Sequence, residues 1–267
     1  MKKANLLSGK KKSEGVYKKD FSKNEIFSNN IKLKNISFNY GTDKKVAVNN
    51  INIDIAKGKS VGFIGKSGSG KSTLVDIIIG LLEPSTGEIL IDDSNIGTKK
   101  ISWQKQLGYV PQEVYLLDDT IRNNITFGIE KEEIDEKLLS DVIEKSQLKN
   151  LVNSLPKKLN TLIGDRGARL SGGEKQRIGI ARALYNKPKV IVFDEATSAL
   201  DIYNENKILK EIYENKKDKT LIIISHRNNT VKYCDLIYVM EDGKIIDNGT
   251  FEQIMKKHSY LKENVVT

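Results

Sequence analysis

The 267-residue sequence is poor in several residue types, and each scarcity excludes a class of protein. It has one cysteine, Cys234, which excludes an internal disulfide and any metal site built from several cysteines. Its longest unbroken apolar run is residues 236–240, whereas a membrane-spanning helix needs about 20 apolar residues. The lysine-containing N-terminus offers only Leu6 and Leu7 as an apolar stretch, so no signal peptide is expected. These features predict a soluble intracellular protein that does not cross a bilayer by itself.

Arginine is also scarce, with six residues among the 44 basic ones, against 35 acidic residues and a net charge of +9. The excess is concentrated in residues 1–30, which hold eight lysines and three acidic residues. A nucleic-acid footprint would instead cluster basic residues on one face of a folded domain. We therefore expect no specific nucleic-acid partner, and we interpret residues 1–30 as a basic tail or remnant linker. Two explanations of the basic charge stay open: lysine richness that reflects genome composition, and a basic segment that lies near anionic headgroups.

The rest of the chain, residues 31–260, has the pattern of one α/β domain followed by a tail at 261–267. Short apolar runs rich in β-branched residues predict strands at residues 60–64, 107–110, 190–193 and 221–224. Helix-compatible sequence separates these runs, including an apolar helix predicted from Ser72 to Leu82, and this alternation favours a parallel sheet covered on both faces. Alternating apolar residues before Ser60 predict half-buried strands. Residues 114–173 have little strand signal, and Asp242-Gly243 predicts a hairpin turn.

The strongest motif is a glycine-rich loop between a predicted strand and a predicted helix. It matches the pattern G-x-x-x-x-G-K-[ST]. Glycines allow successive backbone N–H groups to surround an anion, and the following helix adds the positive end of its dipole. A flexible glycine-serine linker would not lie between a buried strand and a buried helix. The loop therefore predicts a phosphate site made of Gly65, Lys66, Ser67, Gly68, Ser69, Gly70, Lys71 and Ser72, with Thr73 as a further nucleotide-binding residue.

Two carboxylates, Asp194 and Glu195, follow the apolar run at 190–193. Ligands of open α/β sheets bind at the carboxyl ends of the strands. Next to a phosphate loop, Asp194 would support Mg²⁺, as would the Ser72 hydroxyl, and Glu195 would act as the general base. Taken alone, the pair is equally consistent with a solvated acidic turn.

A third segment, Leu170 to Arg177, reads LSGGEKQR and places Ser171, Gly172, Gly173 and Glu174 at a predicted helix start. Alone it would be either a glycine turn with a serine N-cap or a second anion-binding N-terminus. Together the three segments resemble the ATP-binding cassette (ABC) proteins over most of residues 31–255. The resemblance implies a P-loop NTPase (RecA-like) core with a mostly parallel sheet. It also implies an N-terminal antiparallel β subdomain and an α-helical subdomain inserted at about residues 114–173.

The same resemblance assigns the remaining motifs and implies ATP and Mg²⁺ as ligands. Tyr40 matches the aromatic residue that stacks on adenine, and Gln112 matches the Q-loop glutamine that touches Mg²⁺ and the attacking water. Asp201 ends the D-loop sequence SALD that begins at Ser198, and His226 matches the switch histidine at the γ-phosphate. Taken alone, a tyrosine such as Tyr40 is more often a packing residue, and a histidine such as His226 is more often structural than catalytic. The order of all the motifs along the chain is what supports their roles.

The sequence departs from the family pattern at a few positions. Residues 170–177 match the signature motif of the family, and Glu174 stands where glutamine is commoner in that motif. Asn228 and Asn229 replace the commoner Leu-Ser after Arg227, which affects the loop that places His226. Residues 161–167 resemble a segment of exporter-type cassettes called the X-loop, and Asp165 stands where glutamate is usual in it. We do not expect Glu174 to abolish activity.

Two segments, 120–128 and 161–167, resemble exporter-type cassettes, and importers generally lack this pattern. Further stretches around 103–112 and 219–235 resemble flippases of lipid-linked oligosaccharides and related polysaccharide exporters. The resemblance implies a second ABC domain, in a homo- or heterodimer, and a transmembrane permease domain or subunit. It implies peripheral attachment through that permease at the cytoplasmic side of the cell (inner) membrane. An importer ATPase subunit and a non-transport soluble ABC ATPase remain the alternatives.

Overall fold

The computed structural model of the protein describes residues 27–41, 46–197, 199–214, 216 and 219–258. In these residues the strands are β1 (Asn30–Phe38), β2 (Val48–Ala56), β3 (Ser60–Ile64), β4 (Thr86–Ile91), β5 (Ser94–Asn95), β6 (Leu107–Val110), β7 (Val190–Asp194), β8 (Thr220–Ile224), β9 (Leu236–Glu241) and β10 (Lys244–Gly249). The helices are α1 (Lys71–Ile78), α2 (Lys100–Gln104), α3 (Ile121–Ile125), α4 (Glu136–Lys145), α5 (Lys149–Ser154), α6 (Gly172–Tyr185), α7 (Ile202–Glu214), α8 (Asn228–Val231) and α9 (Phe251–Lys257).

The larger sheet has six strands in the order β10-β9-β3-β8-β7-β6. All neighbours run parallel except β10, which forms the predicted hairpin with β9 at the edge. Alternate residues of β7 enter different cores: Val190 and Val192 pack on one face, Ile191 and Phe193 on the other. Burial of both faces explains why these strands are unbroken apolar runs. The prediction of an α/β fold with a mostly parallel sheet is confirmed.

The smaller sheet is antiparallel, with the order β2-β1-β4-β5. Its apolar side packs with α1 against one face of the larger sheet, as the buried Ile31, Ile53 and Leu74 illustrate. The other face of the larger sheet carries α3 to α6 and α9. Of these, α3, α4 and α5 fall within the predicted helical insertion, which also holds an isolated bridge between Thr120 and Leu162. No helix among the described residues is long and apolar enough to span a membrane.

Helix α1 ends at Ile78, whereas the sequence pattern predicts a helix as far as Leu82. Gly80 adopts a left-handed φ of 73°, and the Leu81 amide donates to the carbonyl of Asp76 at 2.8 Å. A glycine in this conformation closes a helix because it turns the chain back over the last carbonyl groups. The apolar run beyond Ile78 therefore packs as a turn, and the prediction of its helical extent was wrong.

The packed fold begins four residues before the predicted boundary at Ile31. Phe27 is fully buried and meets the single tryptophan, Trp103, edge to face with ring centroids 5.8 Å apart. The indole Nε1 of Trp103 donates to the Ile78 carbonyl at 2.9 Å. Asp92 accepts the backbone N–H of Asn30 at 2.9 Å, which fixes the start of β1. The rest of the predicted tails, residues 1–26 and 261–267, lies outside the described residues.

Replacing Phe27 with alanine should lower the free energy of unfolding by about 3–5 kcal/mol, because a fully buried aromatic ring is lost from a packed core. Phe127→Ala is the matched control, since that ring is 59% exposed, and it should cause a much smaller change. Urea titration monitored by the fluorescence of Trp103 measures both variants. Equal stability of the two variants would show that Phe27 is not part of the core.

Candidate functional site

The glycine-rich loop joins β3 to α1, and neighbouring backbone constrains it closely. A Cβ at Gly65 would lie 2.2 Å from the carbonyl oxygen of Met240, and one at Gly70 would lie 2.3 Å from that of Ala47. Gly70 also has a φ of 98°, which disfavours any side chain. The amide of Gly243, in the β9–β10 turn, donates to the Ser69 carbonyl at 3.1 Å. The loop is therefore held by two neighbouring segments, unlike a flexible linker.

Lys71 begins α1 and is only 5% exposed. Its Nζ donates to the carbonyl oxygens of Gly65 and Lys66, both at 2.9 Å, so the ammonium group lies inside the curve of the loop. Burial lowers the pKa of Lys71, and the nearby carboxylates of Glu195 and Asp194 oppose that shift. A buried cation at a helix N-terminus is an arrangement suited to polyphosphate.

Asp194 ends β7, and its carboxylate meets the start of α1. The Ser72 hydroxyl donates to Asp194 Oδ1 at 3.2 Å. Burial raises the pKa of Asp194, and the hydrogen bond from Ser72 opposes that shift. A hydroxyl and a carboxylate that converge from two elements are the hard oxygen ligands that Mg²⁺ prefers. These two residues therefore fit the predicted metal site.

Glu195 and His226 lie in direct contact at the ends of neighbouring strands. His226 Nε2 is 2.5 Å from Glu195 Oε1. The Glu195 amide donates to the Ile224 carbonyl at 3.0 Å, which ties the end of β7 to the end of β8. Glu195 has a left-handed φ of 50°, a strained conformation for a residue with a side chain. Such strain persists at functional sites where surrounding structure holds the residue in place.

Two further polar side chains lie beside Asp194, and sequence reasoning missed both. Asp76 is one helical turn after Ser72 on α1, and burial raises its pKa. Tyr109 pairs with Val192 in the β6–β7 ladder, which places it on the same side of the sheet as Asp194. Burial and the carboxylates of Asp194 and Asp76 raise the pKa of Tyr109. Two signals were available in the sequence. Ser72 and Asp76 are four residues apart and so share one face of a helix, and side chains two residues apart on a strand, such as Val192 and Asp194, share one face of a sheet.

The segment at 170–177 forms the start of α6, as predicted. Ser171 is its N-cap in a reciprocal capping box: the Ser171 amide donates to Glu174 Oε2 at 2.7 Å, and the Glu174 amide donates to Ser171 Oγ at 3.3 Å. Ala199 packs closely on Gly172 and Gly173: its carbonyl oxygen lies 3.1 Å from a Cβ built at Gly173, so a side chain there would displace Ala199 slightly. In the described part of the chain, the hydrogen bonds of Ser171 do not reach the phosphate loop.

Comparisons with known proteins identify the family of this chain. Residues 48–198 match the family model described as ABC transporter. The chain belongs to the ABC transporter family. It is similar to ATP-binding cassette sub-family B member 5 of Mus musculus, at 39% identity over 87% of this chain and 19% of that protein. It is also similar to the alpha-hemolysin translocation ATP-binding protein of Escherichia coli O157:H7, at 40% identity over 86% of this chain and 33% of that protein.

A solved structure of a bacterial Atm1-family ABC exporter with ATP bound matches this ABC chain with a TM-score of 0.84. The two are 32% identical, and the match covers 89% of this chain and 42% of the exporter chain. The chain spans about a third or less of the length of the two curated relatives named above. Membership of the family supports ATP as the nucleotide.

The other predicted ABC motif residues occupy separate positions. Gln112 is exposed and lines a cavity of about 560 Å³ together with Gly172, Lys175 and Ala199, and the residues that line this cavity do not include Ser72 or Asp194. Its predicted contact with a metal ion stays a prediction.

Tyr40 is 59% exposed, and its hydroxyl lies 3.1 Å from Thr73 Oγ1, so it is next to the phosphate loop. Asp201 accepts the Asn204 amide at 2.9 Å at the start of α7, and Ser198 of the D-loop lies outside the described residues.

The departures from the ABC pattern leave the site intact. Asn228 and Asn229 open the short helix α8 directly after the loop of His226, and His226 still reaches Glu195. Asp165 is exposed in the 3₁₀ turn Asp165–Gly167. Glu174 takes the capping role at α6, a role that glutamine would also fill.

Proposed function

We propose that this chain is the nucleotide-binding domain of an ABC exporter, which binds and hydrolyses ATP and closes as a dimer around it. One observation carries the proposal: Lys71, Ser72, Asp194, Glu195 and His226 lie together at the carboxyl edge of the parallel strands, while the Ser171 end of α6 does not reach them. In this proposal, the residues at the strand edge are one half of an ATP site, and Ser171 belongs to the complementary half that another chain would use.

The chemistry follows from the residues gathered at this edge. Lys71 and the loop amides would hold the β- and γ-phosphates and neutralise charge that develops during transfer. Glu195 would accept the proton of the attacking water. His226, which contacts Glu195 Oε1, would turn to the γ-phosphate when nucleotide is bound. Ser72 and Asp194 would hold Mg²⁺, which would supply positive charge to the phosphate oxygens.

The second half of the site would come from another ABC domain in a head-to-tail dimer. Ser171 and Gly173, at the positive end of the α6 dipole, would face the γ-phosphate held by Lys71 of the other chain. Such a contact is reciprocal, so two sites form at one interface. Closure of this dimer and its reopening after hydrolysis would move a membrane partner between inward-facing and outward-facing states.

An exporter role is supported by the relatives, which are named for toxin translocation or as exporters. We infer a transmembrane permease domain or subunit as the partner. We also infer peripheral attachment through it at the cytoplasmic side of the membrane. The importer alternative has no support among these relatives. The oligosaccharide-flippase subgroup stays a prediction.

Complementation between two inactive variants tests the shared site. Lys71→Ala removes the phosphate lysine, and Ser171→Arg blocks the signature end of α6. A mixed dimer of the two keeps one site with both residues intact. An equimolar mixture should therefore recover about a quarter of the wild-type ATP turnover, since half of the dimers are mixed and each has one good site. Phosphate release measures the recovery.

The control mixes the Lys71→Ala chain with a chain that carries both substitutions. No dimer in that mixture has a complete site, so its turnover should stay at the level of Lys71→Ala alone. If Ser171→Arg alone retains wild-type turnover, the signature end of α6 does not take part in catalysis. If both variants are inactive and their mixture is no better, the head-to-tail model is wrong.

A further inference from the structure

Glu205, on the first turns of α7, is a buried carboxylate to which the proposed chemistry gives no role. Of the charged side chains described as buried, it is the least exposed, at 2%. Charged groups are rarely buried to this degree unless they are paired or hydrogen-bonded. The partners of Glu205 therefore indicate why a charge is kept there.

Each oxygen of the carboxylate binds groups from other segments. Oε1 accepts the hydroxyl of Thr197 at 2.6 Å and the hydroxyl of Thr230 at 2.8 Å. Oε2 lies 3.1 Å from Nη1 of Arg227. The same Nη1 donates to the carbonyl oxygens of Thr197 at 3.4 Å and Leu200 at 3.3 Å. One ion pair, with a buried carboxylate and a partly exposed guanidinium group, thus connects the loop after β7, the segment before α7, the loop after β8, and α8.

Three of these four segments carry a residue of the proposed site within two positions of the contact, and the fourth, α8, begins two residues after His226. Thr197 is two residues after Glu195, Arg227 follows His226 directly, and Leu200 precedes Asp201. The side chains of Glu195 and His226 meet at 2.5 Å, so a small shift of either loop would separate them. Packed side chains and their hydrogen bonds are what hold catalytic loops to such tolerances.

We propose that Glu205 is a positioning residue, which fixes the loops of Glu195, His226 and Asp201 relative to one another through Arg227, Thr197 and Thr230. The proposal rests on the roles proposed above for Glu195 and His226. Through Glu205 the three loops are connected to one another. A displacement of the Asp201 segment at the dimer interface would therefore also move Glu195 and His226 of the same chain.

Glu205→Gln should lower kcat for ATP by about 10- to 100-fold, because misplacing reactive groups has this cost, and should leave the ATP dissociation constant within about twofold. Affinity should survive because the bonds of Glu205 described above go to Thr197, Thr230 and Arg227, which lie outside the phosphate loop. Turnover is normalised to the concentration of ATP-binding sites found by titration, so that unfolded protein does not count. Glu214→Gln, an exposed glutamate on the same helix, is the matched control and should behave as wild type.

Conservative variants separate positioning from simple destabilisation. Glu205→Asp keeps the charge and should restore part of the kcat. Glu205→Gln combined with Arg227→Gln should lose no more kcat than the stronger single variant, because both act through one pair.

Thr230→Val has a similar shape but lacks the hydroxyl that donates to Glu205, and it should lower kcat by about threefold to tenfold. This variant is the test if Glu205→Gln does not fold. Unchanged kcat per binding site in Glu205→Gln, or in Thr230→Val when the former is unfolded, overturns the proposal. Wild-type turnover in Glu195→Gln would instead remove the proposed function on which it rests.

Discussion

Glu195→Gln should lower ATP turnover by about 10²–10⁴-fold while ATP binding survives. Glutamine keeps the size and hydrogen-bonding capacity of the side chain but cannot accept the proton of the attacking water. The hydrogen bonds that place Lys71 and Ser72 go to the loop carbonyls and to Asp194, so the phosphate site does not depend on Glu195. Phosphate release and ATP titration measure the two properties separately.

The same variant should accumulate as a dimer in Mg²⁺-ATP, because uncleaved nucleotide between two chains stabilises the dimer by mass action. The wild-type chain should be mostly monomeric, since hydrolysis releases the nucleotide. Light scattering distinguishes the two states, with exposed Glu252→Gln as the matched control. A variant that binds ATP at saturation but stays monomeric would contradict the composite site. Wild-type turnover in Glu195→Gln would show that another group is the base.

Lys71→Ala should lower ATP affinity and reduce turnover by about 10²–10³-fold, the cost typical of removing one preorganised donor from a developing anion. The ammonium group is buried inside the loop, where its charge is screened less than at the surface. Lys57→Ala, an exposed lysine in the turn before β3, removes the same charge and should change neither property by much.

Calorimetric titration with ATP and a phosphate-release assay measure both variants. Circular dichroism shows whether the Lys71→Ala chain is folded. If a folded Lys71→Ala chain binds and turns over ATP like wild type, the glycine-rich loop is not the nucleotide site.

Much of the larger sheet was predictable because its strands are buried on both faces. The runs that became β3, β6, β7 and β8 are short and almost wholly apolar, a pattern that few other structures give. The antiparallel strand β4 was missed, because its apolar residues, Ile89 to Ile91, follow a polar and glycine-containing start. The extent of α1 was wrong because Gly80 ends it from within an apolar run.

Individual residues of the candidate site could be predicted where they belong to a motif, that is, a set of residue types at fixed spacings. The phosphate loop is the clearest case, since both its glycines and its lysine follow from local backbone and charge requirements. Residues outside such motifs were not found. Strand alternation was a signal for Tyr109, but its pairing with β7 is a tertiary contact. Glu205 belongs to no such motif, and two of its partners, Arg227 and Thr230, lie 22 and 25 residues away along the chain.

The sequence by itself determined which groups are available: a phosphate loop, two carboxylates after a buried strand, a histidine, and a serine-capped helix. Only the tertiary structure decided which of them meet. Strands β3, β8 and β7 are neighbours in the sheet, and the phosphate loop, the His226 loop and the Asp194–Glu195 pair follow them in that order. Parallel strands lie about 4.8 Å apart with their carboxyl ends at one edge, which brings these segments within hydrogen-bond reach. Ser171 follows no strand of this sheet, and in the proposed dimer it would complete the site of another chain.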